Sequence, residues 1–98
     1  MATALSNLSD FNPEEVPSGQ NYKVAIVVAE WNSQITEGLF LGAKEALIAC
    51  GMEEDNILRS NVPGSFELVF GAKKALTKAV DAVIVIGSVI QGETKHFD

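Results

Sequence analysis

Apolar and polar positions change their period several times along the chain, and each change marks an element. Tyr22–Ala29 (YKVAIVVA) is rich in β-branched residues and almost continuously apolar after Lys23, the pattern of a strand covered on both faces. From Ile35 the period becomes helical. Ile35, Leu39, Ala43, Ala46, Leu47 and Cys50 recur at helical spacing, Asn32 or Ser33 stands where a cap is needed, and Gly51 closes the helix. After the acidic turn Glu53–Asp55, Asn56–Val62 reads as a short strand broken by Pro63–Gly64. Phe66–Lys78 reads as a second helix, with Leu68, Ala72, Ala75, Leu76 and Ala79 in near-helical register, and Asp81–Ile90 (DAVIVIGSVI) as a third buried strand.

The order strand, helix, strand, helix, strand with short links predicts right-handed βαβ crossovers and a three-layer α/β/α sandwich with a mainly parallel sheet. Phe66, Val69 and Phe70 make the second helix apolar on more than one side. A domain this small has little material to cover such a helix, which predicts packing against other subunits. Residues 1–21 carry Ser, Asn, Pro and Gly with no Lys or Arg and show neither period; they are predicted to form an extended arm, with the domain occupying residues 22–98. There is no internal repeat and no low-complexity tract.

Composition narrows the class. The chain has 98 residues, 47% hydrophobic and 20% charged, with 7 Lys+Arg against 13 Asp+Glu for a formal net charge of −6, which fits one globular domain at most. With a sequence pI near 4.6, no basic stripe is available to neutralise a phosphate backbone, so nucleic acid is not an expected partner. The longest apolar stretches are far shorter than the roughly 20 residues of a membrane span, and Met1–Asn12 has no basic flank before an apolar stretch; the expectation is a cytoplasmic protein without a membrane segment. The single Cys50 has no second cysteine for a disulfide or a thiolate metal site and reads as a small hydrophobe near a helix end.

In open parallel sheets ligands bind at the carboxyl ends of the strands, which directs attention to Glu30–Ser33, Val62–Glu67 and Ile90–Asp98. Trp31 either fills the core or, exposed at a strand end, stacks on a flat heterocycle. The Asn61–Glu67 loop leaves the N–H groups of Ser65–Glu67 near a helix start, where they could bond a polar ligand edge. Glu67 either faces the helix dipole or takes part in binding. In the last segment Gly92 permits close backbone approach, Thr94 offers a hydroxyl, and His96, the only histidine, is either solvated or a proton shuttle.

Taken together, Ala29-Glu-Trp-Asn32 before a helix, Asn61-Val-Pro-Gly-Ser-Phe-Glu67, and Ile86-Gly-Ser-Val-Ile-Gln-Gly-Glu-Thr-Lys-His-Phe-Asp98 closely resemble the lumazine synthase family from about Tyr22 onward. The resemblance implies a flavodoxin-like sheet, of which this chain would be the N-terminal portion. It also implies condensation of 5-amino-6-(D-ribitylamino)uracil with 3,4-dihydroxy-2-butanone 4-phosphate to 6,7-dimethyl-8-ribityllumazine, a step of riboflavin biosynthesis that releases phosphate and needs no metal or organic cofactor. By the same resemblance Trp31 is the ring-stacking aromatic, beside Asn32; it departs from the commoner Phe of the family. Ser65, Phe66 and Glu67 hold the ribityl chain, and the backbone of Ser88, Val89 and Ile90 recognises the pyrimidine. Gly92, Glu93 and Thr94 bind the butanone phosphate, and His96 transfers protons. Family members form pentamers, in some cases packed into icosahedral shells, so a homo-oligomer is implied.

Family members run on for further strand and helix units, so these 98 residues are expected to be inactive alone and to need a complementing C-terminal segment. Two other readings exist. A non-catalytic assembly or ligand-binding half domain would need no proton donor, against which Glu67 and His96 together argue. A receiver-type signalling domain would share the element order but should carry an acidic cluster at the strand ends, where only Glu30 is placed.

Overall fold

A computed structural model of the chain describes residues 10–91. Its centre is a three-stranded parallel sheet built from β1 (Val24–Ala29), β2 (Ile57–Val62) and β3 (Ala82–Ile86), in the order β2-β1-β3. The register pairs Val24 with Ile57 on one side and with Ala82 on the other. Helix α1 (Ser33–Ala49) and helix α2 (Leu68–Ala75) lie on opposite faces, which completes the predicted three layers.

The alternation of a strand explains how β1 serves both faces. Val24, Ile26 and Val28 pack with Phe40 of α1, Met52 and Ile86, while Ala25 and Val27 pack with Ala75 of α2 and with Leu58, Leu68 and Val83. All six residues of β1 are buried, and Ile26, Val27 and Val28 almost completely. Burying each such side chain is worth about 1.5–3 kcal/mol, so this strand anchors the domain.

Helix α1 is rotated relative to the predicted register. Its buried positions are Thr36 and Phe40, with Ala43 and Leu47 packed behind them, whereas Ile35 and Leu39 point outward. Both stripes satisfy helical spacing, and the large Phe40 ring, packed over the sheet, decides which one faces inward. Asn32 occupies the N-cap position but its side chain makes no capping bond; it adopts the left-handed conformation at φ 60°, ψ 52°. The other end is as predicted: Cys50 is the C-cap and Gly51, at φ 98°, turns the chain.

The predicted second helix divides into a 3-10 turn (Ser65–Glu67), α2, and a further 3-10 turn (Leu76–Lys78). Gly71 and Ala75 form its buried face, and Leu76 and Ala79 are exposed rather than core. The third strand is also shorter than predicted. β1 pairs with it only as far as Val28 opposite Ile86. β1 continues its pairing with β2 one residue further, to Ala29 opposite Val62, and Glu30 N–H donates to the Val62 carbonyl at 2.8 Å. Ser88, Val89 and Ile90 lie in irregular chain after the strand. Within the described part of residues 1–21, Pro13–Glu15 form one exposed 3-10 turn, and Gly19 N–H donates to the Cys50 carbonyl at 2.8 Å.

Candidate functional site

With β1 in the middle and helices leaving on opposite faces, the crevice of such a sheet lies at the carboxyl ends of β1 and its neighbours. The chain brings its three connecting segments together there. Glu30 and Trp31 N–H groups donate to the carbonyls of Val62 and Pro63 at 2.8 and 3.0 Å, extending the β1–β2 contact past the ladder. Gly87, immediately after β3, meets the second segment: a Cβ at this position would sit 2.8 Å from Ser65 Oγ and 2.7 Å from Leu68 Cδ1. Glycine lets the third segment seat this closely without moving the ends of the Ser65 and Leu68 side chains.

The predicted residues that fall among the described ones take the following positions. Trp31 is not core: it is 63% exposed and, with Glu30, Asn32, Ser33, Gln34 and Ile35, lines an open cavity of about 370 Å³. The Asn32 carbonyl accepts from Ile35 and Thr36 N–H at 2.9 and 3.1 Å, which starts α1. Its side-chain Nδ2 is buried with no hydrogen-bond partner, and so is Ser65 Oγ. Buried polar atoms without partners are uncommon, and two of them at the same end of the sheet mark places where a polar ligand has something to satisfy.

Of the three amides predicted near the helix start, that of Glu67 is taken, donating to the Gly64 carbonyl at 3.2 Å. The exposed Glu67 carboxylate folds back over Gly64, with Oε1 3.1 Å from where a Cβ on that glycine would lie. Phe66 is 91% exposed. Ser88 is half-buried, and Val89 and Ile90 are exposed. Gly92, Glu93, Thr94 and His96 lie outside the described residues.

A second, larger cavity of about 510 Å³ runs between the outer edge of β2 and α2, past Leu58, Ser60, Val62, Phe70, Gly71 and Lys74. None of the predicted site residues among the described ones lines it. Two contributions escaped the sequence reading. One is the spacing role of Gly87, signalled only by a glycine at the end of an apolar strand. The other is the use of the Val62 and Pro63 carbonyls, for which no side chain gives a signal.

Comparison with known proteins bears on the same segments. Residues 21–98 match the family described as 6,7-dimethyl-8-ribityllumazine synthase. A protein of that name from Flavobacterium johnsoniae is 60% identical over 99 residues, covering 100% of this chain and 52% of its own length. Those from Christiangramia forsetii and Parabacteroides distasonis are 51% and 52% identical, again over 100% of this chain and over 60% and 62% of theirs. The chain thus spans little more than half the length of these relatives. A match that takes in every strand, both helices and all three converging segments leads to one conclusion: this chain belongs to the 6,7-dimethyl-8-ribityllumazine synthase family.

Proposed function

We propose that the protein takes part in riboflavin biosynthesis as a 6,7-dimethyl-8-ribityllumazine synthase. It would condense 5-amino-6-(D-ribitylamino)uracil with 3,4-dihydroxy-2-butanone 4-phosphate and release phosphate. The observation that carries this reading is the convergence of the segments that hold Trp31, Pro63–Ser65 and Gly87 at one end of the sheet, in a chain whose family match runs from residue 21 to residue 98.

In this reading the exposed Trp31 indole stacks on the pyrimidine, Asn32 Nδ2 and Ser65 Oγ satisfy polar groups of the substrate, and Phe66 and Glu67 flank the ribityl chain. Ser88, Val89 and Ile90 border the ring, Gly92, Glu93 and Thr94 hold the phosphate ester, and His96 moves protons. The chemistry needs little more. An amine adds to a ketone and loses water to give an imine, phosphate is eliminated, and a second nitrogen closes the ring with loss of another water. Each step shifts protons near neutral pH, which suits an imidazole. Holding two substrates in register supplies much of the acceleration.

Residues 1–21 act as an arm, and 22–98 as the N-terminal part of the domain. The remaining site groups come from a complementing C-terminal segment and from neighbouring copies in a pentamer or a larger, shell-like assembly, in the cytoplasm. Support for assembly comes from α2 and the 3-10 turn before it, where Val69, Phe70 and Phe66 are exposed.

The test uses the natural chain carrying these residues, supplied with both substrates, and follows lumazine formation by absorbance. Turnover that falls on Trp31→Ala through a raised KM, and on His96→Ala through a lowered kcat with assembly intact, is the expected result. Absence of lumazine formation by the natural chain, with both substrates consumed by an authentic synthase in parallel, overturns the proposal.

A further inference from the structure

The turn that presents Trp31 is fastened to β2 on both sides. Upstream, Glu30 and Trp31 donate to the Val62 and Pro63 carbonyls. Downstream, in the second turn of α1, Glu37 pairs with Arg59 of β2: Nη1 donates to Oε1 at 3.0 Å, and Nη2 lies 2.8 Å from Oε2, a charge contact without hydrogen-bond geometry. The same guanidinium donates from Nε to Asn61 Oδ1 at 2.9 Å and sits 4.4 Å from the centre of the Phe40 ring.

Between these two fastenings stands Asn32, a non-glycine residue in the left-handed region with no side-chain cap. Such a conformation persists where the surroundings over-determine it. Here the surroundings are β2 and the first turns of α1, and Arg59 joins one to the other by charge and hydrogen bond. The Phe40 ring against the guanidinium and the Asn61 acceptor on its Nε restrict how Arg59 can turn while it is paired with Glu37.

We infer that Arg59 is a positioning residue of the candidate site: by locking α1 to β2 through Glu37, it sets the orientation in which the Trp31 indole meets a planar heterocyclic ligand. The identity of that ligand rests on the synthase reading; the coupling of Arg59 to Trp31 does not.

The test compares Arg59→Met and Arg59→Lys in the natural chain carrying these residues, with any tryptophan other than Trp31 replaced by phenylalanine. Arg59→Met is expected to enlarge the local motion of Trp31 in time-resolved fluorescence anisotropy. It should also raise the KM for ribitylaminouracil by roughly three- to tenfold while kcat stays within about twofold. Lysine restores only part of either effect, because it cannot contact both carboxylate oxygens and Asn61 at once. Should Arg59→Met not fold, the isosteric Glu37→Gln carries the test, with smaller changes of the same sign.

A lowered melting temperature with KM and Trp31 motion both at wild-type values would make Arg59 merely structural and overturn the inference. If the unaltered chain turns over no pyrimidine, the synthase reading fails by itself; the anisotropy comparison still decides the coupling, and unchanged Trp31 motion overturns it.

Discussion

On one face of the sheet Phe40, Met52 and Ile86 close over Val24, Ile26 and Val28, whereas on the other the buried set shrinks to Ala25, Val27 and Ala75. The difference lies in how each helix distributes its large residues. Helix α1 turns a phenylalanine inward. Helix α2 turns a glycine inward: a Cβ on Gly71 would lie 2.7 Å from Val27 Cγ1 and 2.9 Å from Val62 Cγ1, so α2 sits almost directly on the sheet. Beyond Leu68 its large residues then face away: Val69 and Phe70 are 78% and 70% exposed, and Phe66 of the preceding 3-10 turn is 91% exposed. A helix that is apolar all round in sequence thus becomes small inside and large outside. Among the described residues the ion pairs follow the same division, because Arg59–Glu37 and Lys44–Glu54 each involve α1.

The comparison breaks most visibly at the two phenylalanines. Phe40→Ala is expected to cost about 3–5 kcal/mol, and Phe70→Ala less than about 0.5 kcal/mol in unassembled chain, both read from urea unfolding midpoints. Equal losses would remove the asymmetry. Next in size is Gly71→Ala. The added methyl overpacks two stiff β-branched side chains at a cost of about 1–3 kcal/mol, which outweighs the roughly 1 kcal/mol that alanine gains over glycine in a helix. An unfolding midpoint at or above wild type would show that α2 can lift off the sheet freely.

The outer face of α2 and of the turn before it is probed by Phe66→Asp combined with Phe70→Asp. This pair should leave the stability of the single chain within about 0.5 kcal/mol while lowering the molar mass seen by light scattering towards one copy. The smallest effect concerns Glu54, whose carboxyl is held below its ordinary value by the hydrogen bond from Lys44 and by that residue's charge, across a contact of 2.6 Å. A depressed carboxyl stabilises the fold above its unfolded value and loses that contribution as pH falls through the folded one. Lys44→Met should therefore lower the unfolding midpoint slightly at about pH 7 and not at all at about pH 3.

The elements themselves were legible in the order of apolar residues. The β-branched run Val24–Ala29 could only be a covered strand, Gly51 and Pro63–Gly64 punctuate the chain where its elements end, and the loops after the strands carry the residues that meet at the site. Trp31 shows where that reading stopped. Its place after a strand was visible, but whether the indole pointed inward or out depended on a left-handed Asn32 and on carbonyls of Val62 and Pro63, thirty residues away.

Period, breaks and family motif were determined by the sequence alone, because each depends on neighbours within a few positions of one another. The rotation of α1 that buries Phe40 instead of Leu39, the central place of β1, the early end of β3 at Ile86 and the grip of Arg59 on Glu37 were decided only in the folded molecule. Each of these depends on shape and charge matched between segments far apart in the chain, and such matching comes into being only when the segments pack.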